Sequence, residues 1–211
     1  MYGASAIEAD LVRQQLDCLA QDTPFHAIKT GALGNAAIVE TLLDFLADKP
    51  DIPLIVDPVI KAAGGGDLAD QALIESMKQA LFARADLITP NGIELALLGD
   101  SEQPDQAAAN LLSGGCQAVL ATGGHGQEED ITNTLYCEDQ APRAWQIPRR
   151  GGEYHGTGCT LAAAIAAGRA AGLSREAAIE QAQRFVSAAI NQALAVGQGQ
   201  PVPDRSVRIA P

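Results

Sequence analysis

Residues 154–161 combine a glycine-rich turn with the start of an alanine-rich stretch that has the composition of a helix. Gly156 and Gly158 can adopt backbone angles that other residues avoid, and the first N–H groups of a helix have no partner inside it. Such a turn predicts a binding site for an anion, and phosphate is the anion we expect. Cys159 falls in the first helical turn, where a thiolate is favoured. The pattern therefore indicates phosphoryl transfer, and the competing interpretation is a tight loop with a buried cysteine.

A second set of candidate residues lies directly after predicted strands. The predicted strands are the apolar runs at 25–29, 52–57, 86–89 and 118–122. The residues that follow them include Gly31, Asp57, Asn91 and Gly123. Ligands of parallel sheets bind beyond the carboxyl ends of the strands. We therefore expect these residues to lie at one edge of a sheet.

Two carboxylates in this set are candidate metal ligands. Asp57 ends a buried strand, where it can hold Mg²⁺ directly or through water, although it could also only cap the following turn. Asn91 and Glu94 stand three residues apart at a predicted helix start and can face one cation or one triphosphate. The competing interpretation is ordinary capping, with Asn91 as the N-cap and Glu94 at the third helical position.

The segment after the fourth predicted strand offers bare backbone to a flat or anionic ligand. It consists of Thr122, Gly123, Gly124 and His125, and its alternative interpretation is a plain turn. His125 is expected to be a surface or hydrogen-bonding residue rather than a base. Other nucleotide and hydrolase signatures are absent, because the chain has no P-loop motif, no complete Rossmann glycine pattern and no Gly-x-Ser-x-Gly.

The alternation of helices and strands predicts an α/β fold with a parallel sheet covered on both faces. Residues 5–8 resemble a capping box for an opening helix, and the tail at 197–211 is predicted to be irregular. Two strands at 131–137 and 144–147 are predicted to form an antiparallel hairpin. The further predicted helices span 36–47, 70–83, 92–98, 103–112, 157–171 and 174–195.

Composition narrows the class of function. A chain of 211 residues fits a single domain over 1–211, and its net charge of −12 disfavours nucleic acid as a partner. The four cysteines form no zinc-binding pattern. No apolar run is long enough for a membrane helix, and the start does not resemble a signal peptide. These features predict a reduced, cytoplasmic protein that acts on small molecules.

The motifs together resemble the ribokinase-like superfamily, and within it the hydroxymethylpyrimidine and phosphomethylpyrimidine kinases of thiamine synthesis. Residues 155–161 reproduce the family signature His-Gly-Thr-Gly-Cys-Thr-Leu completely. The other matching segments are Lys29-Thr30-Gly31-Ala32-Leu33-Gly34, Val56-Asp57-Pro58-Val59, Thr89-Pro90-Asn91 with Glu94, and Gly123-Gly124-His125. The cysteine in the last motif is fairly specific, because many relatives in the superfamily carry aspartate there.

This resemblance implies a three-layer α/β/α fold and phosphorylation by ATP, with Mg²⁺, of a pyrimidine's hydroxymethyl group and then of the resulting monophosphate. It implies an anion hole formed by Gly156, Thr157 and Gly158, with Cys159 taking the substrate proton or orienting the hydroxyl. By the same analogy Asp57 and Glu94 arrange Mg²⁺, and the ATP phosphates lie along Asn91, Thr122 and Gly124. The implied pyrimidine contacts are Gly31, Ala32 and Val59. A homodimer is compatible with the resemblance.

Three departures from the family pattern keep other functions open. Nothing in the chain matches the family's first strand and glycine-rich segment, so on the order of 60 residues of the family pattern are expected to be absent. Ala32 stands where the family has a methionine over the ring, and Thr122 where it has a lysine. The alternatives are a pyridoxal-type kinase and a nucleotide- or ligand-binding protein with little catalysis.

Overall fold

The computed structural model describes residues 5–61, 66, 68–124 and 129–209. Its strands form one six-stranded sheet in which each strand pairs with its neighbour in sequence. They are β1 (Ile28–Thr30), β2 (Leu54–Val56), β3 (Leu87–Ile88), β4 (Ala118–Ala121), β5 (Asp130–Cys137) and β6 (Arg143–Pro148). The first four run parallel, and β5 and β6 each run antiparallel to the preceding strand. The predicted mainly parallel sheet with a small hairpin is confirmed.

Helices connect and cover these strands. They are α1 (Ala9–Asp22), α2 (Ala36–Leu46), α3 (Gln71–Ser76), α4 (Phe82–Arg84), α5 (Gly92–Leu98), α6 (Pro104–Ser113), α7 (Thr157–Ala170) and α8 (Arg175–Asn191). A π-helical turn, Met77–Leu81, joins α3 to α4 in place of the uninterrupted helix predicted at 70–83. Within the described ranges, none of the helices has the length and apolarity that a bilayer crossing requires.

The apolar strands are buried because helices pack on both faces of the sheet. Alternate residues of one strand point to opposite faces, so neighbours in sequence belong to different core clusters. Val56, Ile88 and Val119 pack in the cluster that α2, α3, α5 and α6 cover. The opposite cluster contains Ile55, Leu87, Leu120 and buried residues of α7 and α8, among them Leu161, Ile165 and Ile179. This three-layer arrangement explains why the strands are continuous apolar runs rather than alternating ones.

Three local predictions were wrong. The capping box at 5–8 does not form, because the first turn begins at Glu8, whose carbonyl accepts from Leu11 N at 3.0 Å, and no side chain caps α1. The first strand starts at Ile28 rather than residue 25, where its N–H first bonds to Pro53 O. The last helix ends at Asn191, and the tail is not irregular throughout, since Leu194 and Val202 form an antiparallel bridge.

A buried carboxylate joins the sheet to the two C-terminal helices. Asp86 precedes β3 and is only 8% exposed. It accepts hydrogen bonds from Arg169 Nε and Nη2 at 2.9 and 3.1 Å, and from Arg175 Nη2 at 3.1 Å. One negative charge therefore compensates two guanidinium groups that come from α7 and α8.

We predict that Asp86→Asn lowers the free energy of unfolding by about 3 kcal/mol, because both guanidinium groups lose their counter-charge in a largely buried place. Urea denaturation of the two proteins measures the difference. The matched control is Asp17→Asn, which breaks the exposed pair between Asp17 and Arg13 within α1. It is expected to cost about 0.5 kcal/mol or less, and equal losses in the two variants would contradict the assigned role of Asp86.

Candidate active site

The glycine-rich turn begins α7 in the geometry that an anion site requires. Gly156 is the N-cap residue and has a left-handed backbone, with φ of 86°, which glycine adopts without strain. No side chain caps the helix, so the first N–H groups are left for a ligand. A Cβ atom placed on Gly158 would meet nothing within 4 Å. Open space therefore lies beside the free N–H groups of Thr157, Gly158 and Cys159.

Cys159 lies close to an ion pair at the carboxyl ends of β1 and β2. Lys29 Nζ donates to Asp57 Oδ2 at 3.1 Å, and the Asp57 side chain is only 9% exposed. Asp57 N in turn bonds to Thr30 O at 3.0 Å, which continues the strand pairing to the end of β2. Charge interactions couple the Cys159 thiol to both members of the pair.

The protonation state of Cys159 differs from the one predicted. Partial removal from water raises the pKa of the thiol, and the negative charge of Asp57 raises it further. The positive charges of Lys29 and Arg205 act in the opposite direction but do not outweigh them. The thiolate expected from the helix N-terminus alone is therefore not favoured, because partial burial and a carboxylate from another element both raise the pKa of the same sulfur. Cys159 is also exposed rather than buried.

Asn91 and Glu94 form the capping box of α5. Asn91 Oδ1 accepts from the N–H groups of Ile93 and Glu94, each at 3.0 Å, and Glu94 Oε2 accepts from Asn91 N at 3.0 Å. The other oxygen of Glu94 accepts from Ile60 N at 3.4 Å. Burial raises the pKa of Glu94, the two backbone N–H bonds oppose that rise, and the Asp57 charge adds to it. The capping interpretation holds, and it brings a second buried carboxylate into electrostatic contact with Asp57.

The turn after β4 lies beside this capping box. Thr122 pairs with Asn91 in a parallel bridge, and its N–H donates to Pro90 O at 2.9 Å. Gly123 N donates to Asn133 Oδ1 at 3.1 Å, and Asn133 Nδ2 donates to Gln183 Oε1 at 2.8 Å. These two buried amides fix the backbone of the turn from the side of β5 and α8.

Glycine at the middle of that turn is a steric requirement. A Cβ atom on Gly123 would lie 2.3 Å from Thr132 O, whereas one on Gly124 would meet nothing within 4 Å. Gly124 is exposed, and its carbonyl accepts from Arg149 Nη1 at 3.0 Å. His125 lies outside the described residues, so the expectation for it stays a prediction.

The three residues expected to contact a ring follow the first two strands. Gly31 comes directly after β1, and a Cβ atom there would lie 3.0 Å from Lys29 Nζ. Ala32 is exposed and Val59 is half-buried. Val59 N donates to Asp57 O at 2.8 Å, so its position depends on the turn that carries Asp57. All three therefore lie at the same edge of the sheet as the candidate carboxylates.

A chain of contacts joins most of the predicted residues. Cys159 interacts with Asp57, Asp57 with Glu94, and Glu94 caps the helix of Asn91, which pairs with Thr122. The described residues include no cluster of three or more histidine, cysteine, aspartate or glutamate side chains that could by itself hold a metal ion. Asp57 and Glu94 are the two buried carboxylates that this chain of contacts brings into electrostatic contact.

Two cationic residues at this site were missed as site residues in the sequence analysis. Lys29 stands inside a matching segment, so its place at the end of a strand beside Asp57 offered a signal. Arg205 gave no such signal in the sequence, because it lies in the tail and only the folding of the tail brings it to this site. Its Nε donates to Thr160 Oγ1 at 3.0 Å. Positive charge, carboxylates, a thiol and free N–H groups thus meet at one place, which suits transfer of a phosphoryl group to a hydroxyl.

Known proteins resemble this chain over most of its length. The family model described as phosphomethylpyrimidine kinase matches residues 1–203. A hydroxymethylpyrimidine/phosphomethylpyrimidine kinase of Haemophilus influenzae is 38% identical over 208 residues, which cover 94% of this chain and 77% of that protein. A kinase of the same name from Synechococcus elongatus is 38% identical over 207 residues, with 90% of this chain and 74% of that protein covered.

Solved structures agree with the fold. The structure of an ADP complex of Bacillus subtilis pyridoxal kinase superposes with a TM-score of 0.85 at 28% identity, and the match covers 95% of this chain and 78% of that one. This similarity confirms the ribokinase-like fold expected from the motifs. Because the family model spans nearly the whole sequence and the two relatives described above are each 38% identical, the chain belongs to the phosphomethylpyrimidine kinase family.

Proposed function

We propose that the chain transfers the γ-phosphoryl group of ATP to the hydroxymethyl group of 4-amino-5-hydroxymethyl-2-methylpyrimidine, and then phosphorylates the monophosphate, as a kinase of thiamine biosynthesis. The observation that carries this function is Cys159, placed beside Asp57 at the uncapped N-terminus of α7. The names of the curated relatives support the substrate. The ADP bound to the similar pyridoxal kinase supports the nucleotide.

The residues present suit a magnesium ion. Asp57 and Glu94 are both buried carboxylates, and the pKa of Glu94 is raised by burial and then by the Asp57 charge. Lys29 pairs with Asp57, so one positive charge faces two carboxylates. Mg²⁺ is commonly held by one or two carboxylates together with water and substrate phosphates. When bound, the ion would neutralise charge on the ATP phosphates.

The residues of the chain divide the remaining work between binding and proton handling. The free N–H groups of Thr157, Gly158 and Cys159 would bind the phosphoryl oxygens, with support from the helix dipole. The turn at Thr122 and Gly124 would lie along the ATP phosphates, next to Asn91. Gly31, Ala32 and Val59 would line the ring, and their side chains are small enough to leave room for it.

Cys159 acts as a thiol in this proposal. The raised pKa of Cys159 favours the protonated thiol at neutral pH. A protonated thiol is not a base, so another group must take the proton of the substrate hydroxyl. The thiol would hold the substrate hydroxyl beside the anion hole, and Asp57 is the adjacent carboxylate that can take the hydroxyl proton. This division fits a loose phosphoryl-transfer transition state, in which positioning and charge neutralisation supply most of the catalysis.

A pyridoxal-type kinase is the second candidate, and the specific observation for it is the structural similarity to pyridoxal kinase. The curated relatives with the pyrimidine name are more similar in sequence, at 38% against 28% identity, and they favour the first candidate. Ala32 is the ring-side residue at which the two substrates would be discriminated. Both substrates therefore belong in the same assay.

We predict that the chain forms ADP from ATP and Mg²⁺ only when the pyrimidine alcohol is present. Cys159→Ala should bind ATP normally but lower kcat about 100-fold or more, because the group that holds the hydroxyl is lost. Cys159→Ser should retain more turnover than Cys159→Ala, since a hydroxyl can still orient the substrate. A coupled ADP assay and calorimetric ATP binding measure these quantities.

The same assay with pyridoxal is the discriminating control. Turnover with pyridoxal but not with the pyrimidine alcohol would assign the second candidate. ATP binding without turnover on either substrate would instead favour a binding protein with little catalysis. Unchanged kcat in Cys159→Ala would contradict the role given to the thiol.

Alanine substitutions at Gly158 and Gly156 distinguish two effects. At Gly158 the added methyl group would fill the proposed binding space, whereas at Gly156 it would strain the backbone. We predict that Gly158→Ala folds with wild-type stability or better, because its Cβ meets nothing and alanine is favoured in helices. Its methyl group should nevertheless lower kcat/KM strongly by occupying the phosphoryl position. Gly156→Ala should lose stability, since its φ is 86°. Thermal unfolding and the ADP assay test both, and full activity in Gly158→Ala would place the phosphoryl group elsewhere.

The pH dependence of Cys159 alkylation tests its electrostatic environment. In a Cys18→Ser, Cys137→Ser chain, Cys116 is buried with a pKa of about 12, so iodoacetamide reports on Cys159. The thiolate is the reacting form, so the raised pKa of Cys159 predicts a midpoint at higher pH than that of a free thiol. Asp57→Asn removes a charge that raises the pKa, and should shift the midpoint to lower pH.

The control for this shift is Asp17→Asn, which changes the same charge on an exposed part of α1 and should leave the midpoint in place. Peptide mass spectrometry measures the alkylation rate at each pH. A midpoint below that of a free thiol, or one that Asp57→Asn does not move, would show that Asp57 does not control the sulfur.

A further inference from the structure

The tail that follows α8 is fastened to the entrance of the glycine-rich turn. Leu194 and Val202 exchange two backbone hydrogen bonds of 2.9 and 3.0 Å, and Asp204 N donates to Ala189 O at 3.0 Å. His155 N donates to Pro201 O at 2.9 Å, directly before Gly156. We call residues 201–206 the C-terminal strap. Its bonds join the end of α8 to the start of α7.

The end of the strap is shaped by a local turn. The Asp204 carboxylate accepts from Ser206 N and Ser206 Oγ at 2.9 and 2.7 Å. Pro203, one residue earlier, is buried. Arg205 therefore stands between a buried proline and a bonded serine, on backbone whose path is fixed on both sides. Its position at the site follows from these bonds rather than from the reach of a free tail.

The guanidinium group of Arg205 lies against the N-terminus of α7. Its Nε donates to Thr160 Oγ1 at 3.0 Å, and that hydroxyl donates to Gly156 O at 2.7 Å. A Cβ atom on Gly156 would lie 2.9 Å from Nη2. Glycine at 156 thus makes room for the guanidinium group as well as adopting the left-handed turn.

Arg205 carries a positive charge that has no acidic partner among the residues for which the structure gives positions. Lys29, the other cation near Cys159, is already paired with Asp57. One N–H of the five on the guanidinium group is used by Thr160, and the side chain remains exposed. A planar group with free paired donors is well suited to phosphate oxygens.

We propose that Arg205 is a phosphate-binding residue of this kinase, and that its guanidinium group neutralises the phosphoryl group held at the N-terminus of α7. The proposal rests on the proposed function, because it needs the anion hole at that helix. In this proposal the C-terminal strap holds the positive charge of Arg205 next to the reacting phosphoryl group. Thr160 is then a positioning residue, whose hydroxyl orients the guanidinium group through Nε.

The first experiment tests binding without turnover. In the Cys18→Ser, Cys137→Ser chain, inorganic phosphate should slow the alkylation of Cys159 by neutral iodoacetamide, because the anion occupies the adjacent site. Arg205→Gln should weaken this protection about 10-fold or more, and Arg205→Lys should weaken it less. Arg208→Gln is the matched control, since Arg208 is an exposed arginine three residues further along the same tail.

The outcomes separate the two proposals. If phosphate protects neither the parent chain nor any variant, the anion hole itself is refuted. If phosphate protects the parent chain and Arg205→Gln equally, the anion hole stands and the role of Arg205 is refuted. Protection that is lost in Arg205→Gln and kept in Arg208→Gln supports the assignment.

The second experiment measures catalysis and separates charge neutralisation from a merely structural role. Arg205→Gln should lower kcat about 100-fold, the loss expected from removing one group that stabilises transition-state charge. Added guanidinium ion should restore part of kcat in Arg205→Gly and none in Arg208→Gly. Thermal unfolding should stay unchanged in Arg205→Gln. Unchanged kcat, or a loss that guanidinium and Arg205→Lys both fail to relieve, would overturn the proposal.

Discussion

The Lys29–Asp57 ion pair ties the carboxyl ends of the first two strands together beneath the N-terminus of α7. An isolated carboxylate as buried as Asp57 would be costly, and the ammonium group 3.1 Å away makes its burial tolerable. Two other titratable groups of the site, Cys159 and Glu94, both interact with the charge of Asp57. Partial burial raises the pKa of the Cys159 thiol and the charge of Asp57 raises it further, and the same charge adds to the burial that raises the pKa of Glu94.

Hydrogen bonds fix the positions of several groups in the candidate site. Glu94 uses both carboxylate oxygens to accept backbone N–H groups, from Asn91 in its own capping box and from Ile60 after β2. The side chain is therefore fixed while its charge stays next to Asp57. In the same way Asn133 and Gln183, both buried, fix the backbone of Gly123 from a neighbouring strand and helix. Supporting contacts of this kind keep a site in its working geometry.

The chain is strongly acidic, yet its site is suited to an anion. The net charge of −12 is spread over the whole sequence, whereas the N-terminus of α7 gathers free N–H groups, the helix dipole and Arg205 within a few ångströms. Screening by salt limits the influence of distant surface charges to about 8–10 Å. Local groups therefore decide what binds, and the overall charge mainly excludes polyanions.

Much of the fold could be predicted from the sequence, because its signals act between near neighbours in the chain. The apolar runs identified the strands β2, β3 and β4, and the glycine-rich turn identified the start of α7. The family motifs marked Asp57, Asn91, Glu94 and Cys159, and the capping alternative for Asn91 and Glu94 was also visible in their spacing. Turn and cap geometry depends on a few consecutive residues, so a short stretch of sequence is enough to specify it.

Only the tertiary structure decided the contacts between segments that are far apart in sequence. The pKa of Cys159 is raised, against the expected thiolate, because the fold partly buries the sulfur and places Asp57, which follows β2, beside it. Arg205 could not be identified as a site residue, since its place depends on how the tail bonds to the end of α8 and to His155. The sequence by itself determined the glycine-rich turn, the carboxylates and the cysteine of the candidate site, together with the turns that carry them. Packing of the sheet, helices and tail determined their neighbours, and a charge or a pKa depends on neighbours in space rather than along the chain.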